Sequence, residues 1–238
     1  MAQLKVITFD LDNTLWDVDR VIVNAEGKMR AWLGEHVPEF GPAFPADRLM
    51  DLRNQVVEAN PELRHDLSRL REELLYQAIL RCGYSATESR AYAADAFALF
   101  YEARHEVQFF AGALEILHTL RQRYVLGALT NGNADFAKLK LDRYFSFGYS
   151  SASVGAAKPA PQMFRAALKH VQASPHESVH IGDHLVDDVQ GAAEVGMHTI
   201  WVNLTESPNP SDSARPSAVV RDLKDIAQAI EHIGESIA

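Results

Sequence analysis

Short apolar runs that break off in polar loops set the rhythm of this chain. Leu4 to Phe9 is β-branched and aromatic and stops in Asp10-Leu11-Asp12-Asn13-Thr14. Tyr124 to Leu129 stops in Thr130-Asn131-Gly132, Ser178 to Ile181 in Gly182-Asp183, and His198 to Val202 in Asn203. Runs of this length bounded by polar residues predict buried strands followed by loops. Between them, Ala113, Ile116, Leu117 and Leu120 follow i, i+3, i+4, i+7 spacing, as do Phe164, Ala167, Leu168 and Val171, and both predict amphipathic helices. Strands alternating with helices imply an α/β fold, a parallel sheet with helices on both faces.

From about Asp17 to Arg104 the rhythm changes, with no convincing strand and several amphipathic stripes in succession. Val18, Ile22, Ala25, Met29 and Trp32 form one stripe, and Leu67, Leu70, Leu74 and Ala78 form another that stops near Gly83. A further helix opens with Ser85 and Glu88 in capping-box spacing and is expected to bury Ala93, Phe97, Phe100 and Tyr101. Prolines at 38, 42, 45 and 61 punctuate the segment, which therefore reads as a bundle of four or five helices. The expected organisation is a sheet core over 1–16 and 105–238 with an inserted helical domain over 17–104. Residues 205–217, rich in Ser, Pro and Asn, predict a surface loop before a last short strand and a helix from about Leu223 to Ile233.

Composition narrows the function classes. With 238 residues, 47% of them hydrophobic, the chain can bury a sizeable core. A formal net charge of −9 without any Lys/Arg block argues against nucleic-acid or anionic-membrane partners, which need local positive charge. An anionic substrate would then call for a metal ion held by carboxylates. The single Cys82 forms no internal disulfide, the first ten residues lack the pattern of a secretory signal, and no apolar run approaches the roughly 18 residues of a membrane span, so a cytoplasmic location is expected.

Candidate chemistry gathers where the strands end. Asp10 and Asp12 follow the first strand at its carboxyl end, the edge where open α/β sheets place ligands. Two carboxylates so spaced are weak evidence alone, but Thr130-Asn131, Lys158 and Gly182-Asp183 also follow predicted strands or loops on that edge. Asp10-Leu11-Asp12-Asn13-Thr14, then Thr130, then Lys158-Pro159, then Gly182-Asp183 with Asp188 resembles the four-motif signature of the haloacid dehalogenase superfamily. The helical insertion after the first motif resembles the C1-type cap of its subfamily IA.

The resemblance implies a Rossmann-like core and a magnesium-dependent phosphatase. Asp10 would attack phosphorus and form an aspartyl-phosphate. Asp12 would protonate the departing alcohol and later deprotonate the attacking water. Thr130 and the Asn131 backbone N–H would hold phosphoryl oxygens, and Lys158 would neutralise developing charge. Mg²⁺ would take the side chains of Asp10 and Asp183 and the backbone carbonyl of Asp12. Asp187 and Asp188 both fall within reach of Asp183; the alignment favours Asp188 as the metal-shell residue, with Asp187 exposed and His184 a bystander.

Dehalogenases of the superfamily also use an aspartate nucleophile but need no metal and lack the second carboxylate, so Asp12 favours the phosphatase. A non-catalytic binding protein would be expected to lose a motif, and none is lost. The stretch from Asn60 to Arg69, with Trp16 and Asn131-Gly132-Asn133-Ala134, resembles bacterial flavin-mononucleotide phosphatases of this subfamily, which also act on a riboflavin-pathway phosphate. That resemblance makes Trp16, Arg64, His65 and Arg69 candidate substrate contacts and a small phosphorylated metabolite the expected partner, against nucleotides, phosphoglycolate and sugar phosphates as alternatives. Trp16 and Trp32 also fit ordinary core positions. Oligomeric state is not legible.

Overall fold

A computed structural model describes residues 3–208 and 215–237. The chain divides into two compact units, one of Met1–Asp17 with Gln108–Ala238 and one of Val18–Val107.

The second unit is all helical: α1 (Val18–His36), α2 (Phe40–Ala43), α3 (Ala46–Ala59), α4 (Leu67–Arg81) and α5 (Ala86–Ala103), with a tight turn over Pro61–His65 between α3 and α4. Its core is continuous, running from Ala25, Met29 and Leu33 on α1 through Leu70, Leu74 and Ala78 on α4 to Ala93, Ala96 and Phe100 on α5. The buried stripe of α1 is Val21, Ala25, Met29 and Leu33: Ala25 and Met29 fall where expected, Val21 and Leu33 are buried instead of Val18, Ile22 and Trp32, and Ile22 and Trp32 pack at its border. The Ser85 hydroxyl accepts from the Glu88 N–H at 3.3 Å while the Glu88 carboxylate accepts from the Ser85 N–H at 3.0 Å, so the capping box that starts α5 is fully formed.

The first unit is built on six parallel strands: β1 (Val6–Phe9), β2 (Val125–Thr130), β3 (Phe147–Ser150), β4 (Ser178–Gly182), β5 (His198–Val202) and β6 (Ala218–Val220), in spatial order β3-β2-β1-β4-β5-β6. Its helices are α6 (Ala113–Leu120), α7 (Ser151–Val154), α8 (Gln162–Val171), α9 (Gly191–Val195) and α10 (Ile226–Ile237). The strand β3 escapes a hydropathy reading because Phe147-Gly148-Tyr149-Ser150 is four residues long, half of them Gly or Ser, and lies at the sheet edge. Of the polar stretch 205–217, residues 209–214 lie outside the described residues. Every residue of β1 and β4 is buried, as central strands of a parallel sheet require.

Register carries the functional edge. Phe9 pairs with Ala128 on β2 and with Ile181 on β4, so the three strands finish level with one another. Asp10, Thr130 and Asp183 therefore emerge from adjacent strands on one edge, with the Asp10 N–H still donating to the Ile181 carbonyl at 2.8 Å.

Candidate active site

The loop after β1 is a single closed turn. The Asn13 N–H donates to the Trp16 carbonyl at 2.8 Å and the Leu15 N–H to the Leu11 carbonyl at 2.8 Å, which requires Asn13 to adopt φ of 61°, the left-handed region that Asn tolerates better than most residues. The turn folds Thr14 back beneath the strand end, where its hydroxyl lies 3.2 Å from Asp10 Oδ2 and 3.1 Å from Asp183 Oδ1.

Lys158 is the centre of the site. Its ammonium donates to Asp10 Oδ1 at 2.7 Å, Asp188 Oδ1 at 2.6 Å and the Leu129 carbonyl at 2.8 Å, so all three protons are used while the residue is only 4% exposed. Asn131 braces the Lys158 backbone from both sides, its Oδ1 accepting the Lys158 N–H at 2.7 Å and its Nδ2 donating to the Lys158 carbonyl at 3.1 Å. Thr130 is buried and its hydroxyl oxygen accepts the Gly132 N–H at 2.9 Å, pulling the turn after β2 tight.

Asp188 is held by more than Lys158. A π-type helical turn over Leu185–Gln190 returns its carboxylate over β4, where Oδ2 accepts the His184 N–H at 3.0 Å and Oδ1 also faces His180 Nε2 at 3.1 Å. The other nitrogen of that imidazole, Nδ1, is 2.8 Å from the Thr8 hydroxyl, and Thr8 and His180 are register partners on β1 and β4. With Nε2–H donating to the carboxylate, Nδ1 accepts from Thr8. The Asp188 side chain crosses so close to the strand that a Cβ on Gly182 would lie 2.3 Å from its Cγ, so this position admits only glycine without displacing the carboxylate.

The electrostatics follow from burial. Burial raises the Asp10 pKa well above its ordinary value, against the pull of Lys158, and the charges of Asp188 and Asp183 raise it further. Burial alone would lower the Lys158 pKa, but Asp10 and Asp188 override it and hold the ammonium charged. Burial likewise opposes ionisation of Asp188, yet Lys158 and His180 hold its carboxyl well below the usual range. Asp183 is pushed up to about 6 by burial and by the Asp188 charge. The His180 pKa is lowered, chiefly by burial, which keeps the imidazole neutral.

Asp10, Asp183 and Asp188 each offer a carboxylate oxygen, all within 4.8 Å of one another. Three carboxylates face one ammonium, an excess of two negative charges when all are ionised, and the donors are hard oxygens. This set fits a divalent cation such as Mg²⁺ in both charge and ligand type.

Other sequence candidates lie elsewhere or differently. Asp12 is half-buried, and its Oδ1 accepts the Trp16 indole N–H at 2.9 Å. Trp16 is fully buried, in edge-to-face contact with Phe109 at 5.5 Å, so its ring offers no face for a substrate to stack on. Arg64 and His65 belong to the Pro61–His65 turn and Arg69 to the first turn of α4, in the helical unit; Arg64 and Arg69 are exposed and the Arg69 N–H donates to Asp66. Asp187, expected to be exposed, is half-buried because its carboxylate receives Asn131 Nδ2 at 3.3 Å, and its own N–H is taken by the exposed His184 ring. The sequence alone does not single out Thr8, Thr14, His180 or the bracing side chain of Asn131 as structural parts of the site. Strand parity carries a signal for Thr8, two residues before Asp10 and so on the same face.

The model of the haloacid dehalogenase-like hydrolases matches residues 4–196. The chain belongs to that family. It is 33% identical over 202 residues to the 5-amino-6-(5-phospho-D-ribitylamino)uracil phosphatase YigB of Escherichia coli K12, covering 85% of this chain and 84% of that protein. It is 30% identical over 223 residues to a glyceraldehyde 3-phosphate phosphatase of Pyrococcus furiosus, covering 84% and 81%. Among solved structures, a 2-haloacid dehalogenase from Pseudomonas syringae pv. Tomato superposes with a TM-score of 0.93 at 36% identity, over 97% of this chain and 99% of that one. As a family member the protein is a hydrolase, and the phosphatases among its relatives match most of its length.

Proposed function

We propose that this haloacid dehalogenase-like hydrolase is a phosphomonoester hydrolase that works through an aspartyl-phosphate on Asp10, with Mg²⁺ as cofactor. The observation that carries the reading is the buried Lys158 ammonium joining Asp10 to Asp188 beside Asp183. Asp10 attacks phosphorus while Lys158, anchored by Asp188 and the Leu129 carbonyl, offsets the charge that gathers on the transferring group. Thr130 and the Asn131 N–H bind phosphoryl oxygens at the end of β2. Asp12 gives a proton to the departing oxygen and takes one from the water that cleaves the aspartyl-phosphate. The ion would be held by Asp10, Asp183 and the Asp12 backbone carbonyl, with Asp188 behind them, and when bound it supplies positive charge to the phosphoryl oxygens.

Substrate selection is assigned to the helical unit, taken as a cap over 17–104, where Arg64, His65 and Arg69 are candidate contacts. The substrate class is a phosphorylated small metabolite carrying a ribityl phosphate, such as flavin mononucleotide or a riboflavin-pathway phosphate. The phosphoribityl arm in the name of the Escherichia coli relative supports this choice. A second reading, haloacid dehalogenase, is favoured by the name of the Pseudomonas syringae structure. The carboxylate at Asp12 argues for the phosphatase.

The deciding assay is phosphate release from an aryl phosphate and from flavin mononucleotide with Mg²⁺ or with EDTA, alongside halide release from 2-chloropropionate. Metal-dependent phosphate release is expected, falling on the order of 10⁴-fold or more in Asp10→Asn with its thermal melt preserved. Halide release without metal, or full phosphatase activity in Asp10→Asn, contradicts the reading.

A further inference from the structure

The side chain of Trp16 stands beside the proposed chemistry in a position that core packing alone does not require. Its backbone carbonyl closes the turn by accepting the Asn13 N–H at 2.8 Å, while its indole N–H reaches back to Asp12 Oδ1 at 2.9 Å. The ring is fully buried, fixed edge-to-face on Phe109 at 5.5 Å and 86°, and the backbone on both sides is pinned: Trp16 bridges Asp12 and Phe109, and the Phe110 N–H donates to the Leu15 carbonyl at 2.8 Å. A buried indole N–H needs an acceptor, and here that acceptor is a carboxylate rather than a backbone carbonyl. Asp12, itself half-buried, is thereby tied to a ring that cannot turn.

We infer that Trp16 is a positioning residue for proton transfer by Asp12, its indole N–H fixing which carboxylate oxygen carries the proton. The inference rests on the reading of Asp12 as the acid–base group. With Oδ1 accepting from the indole, Oδ2 is the oxygen that delivers the proton. As the bond from Asp10 to phosphorus forms and the phosphorus–oxygen ester bond breaks, that proton passes to the departing alkoxide, leaving Asp12 as a carboxylate. Water then attacks phosphorus and gives its proton back to Oδ2, the bond from phosphorus to Asp10 breaks, and both aspartates return to their starting states. Throughout, the indole holds the carboxyl against rotation about χ2, and that orientation is its contribution.

Leaving-group dependence separates positioning from mere packing. An alkyl phosphate needs its departing oxygen protonated, whereas p-nitrophenolate leaves with little help. Trp16→Phe keeps an aromatic ring against Phe109 and deletes the N–H. Its kcat/KM with Mg²⁺ is expected to fall about 10-fold more for β-glycerophosphate than for p-nitrophenyl phosphate. In an Asp12→Asn background, which has no proton to give, the same substitution is expected to change both substrates equally. Should Trp16→Phe fail to fold, β-(3-benzothienyl)alanine at position 16, which preserves the bicyclic ring and exchanges N–H for sulfur, carries the same expectation. Equal losses for the two substrates, or no loss for either, overturn the inference while leaving the phosphatase intact. A wild-type protein that releases no phosphate from either ester overturns the phosphatase reading together with the inference.

Discussion

Lys158 and the carboxylates around it decide the behaviour of the site one residue at a time. The ammonium offsets the burial of two carboxylates at once, at 2.7 Å and 2.6 Å. Replacing it by Met keeps the aliphatic stem and strands like charges in a low-dielectric position, which is expected to cost about 3–5 kcal/mol in urea unfolding measured with EDTA present. Unchanged stability would mean that Asp10 and Asp188 are not paired through Lys158. Asp183 makes a separate statement about pH. Its pKa is raised from 3.8 to about 6 in the fold, so the folded chain binds the proton more tightly than the unfolded chain. The resulting stability is fully present below about pH 4 and is lost as pH rises through 6, by on the order of 1–2 kcal/mol after allowing for partial solvent screening. Metal-free protein should therefore lose stability between pH 4 and 6.5, and Asp183→Asn should make that slope shallower, the raised Asp10 carboxyl supplying the remainder. An unchanged slope in the variant would show that Asp183 does not contribute to it.

At the level of elements, the ends of the strands make the site legible in the sequence. Asp10, Thr130 and Asp183 are polar residues that cut off apolar runs, and the register of β1, β2 and β4 brings those cuts level. Features that depend on one strand's register against another are not written in any single run. The Thr8–His180 pair is of this kind, since neither residue names its partner until β1 and β4 are aligned. Likewise, β3 is hidden by its Gly and Ser, and α1 buries Val21 and Leu33 at the ends of its stripe where Ile22 and Trp32 only border the helical core. Glycine at 182 links element to site. Gly182→Ala puts a Cβ where Asp188 Cγ lies 2.3 Å away, so the carboxylate must leave Lys158 or the turn over Leu185–Gln190 must shift. Activity is expected to fall on the order of 10²-fold, as misplacement by about 1 Å can cause. Wild-type activity in this variant would show that Asp188 need not sit against the strand.

Taken whole, the molecule answers a charge problem that its composition poses. A chain with formal net charge −9 and no Lys/Arg block in its sequence must gather positive charge locally to attract a phosphate ester. At the end of a parallel sheet it concentrates one ammonium and three carboxylates that could hold a divalent cation. No helix among the described residues is long and apolar enough to cross a membrane. The family shares this sheet among hydrolases whose names span phosphatases and dehalogenases, so fold alone does not choose the reaction. On the proposed mechanism, the two are separated by whether a covalent intermediate on Asp10 carries phosphorus or carbon. The most direct test is to quench the protein in acid during steady turnover of a phosphate ester with Mg²⁺ and analyse its peptides by mass spectrometry. The mass of one phosphoryl group is expected on the peptide containing Asp10, absent in Asp10→Asn and absent with EDTA. Rapid turnover with that group on another residue, or in Asp10→Asn, would rule out Asp10 as the nucleophile.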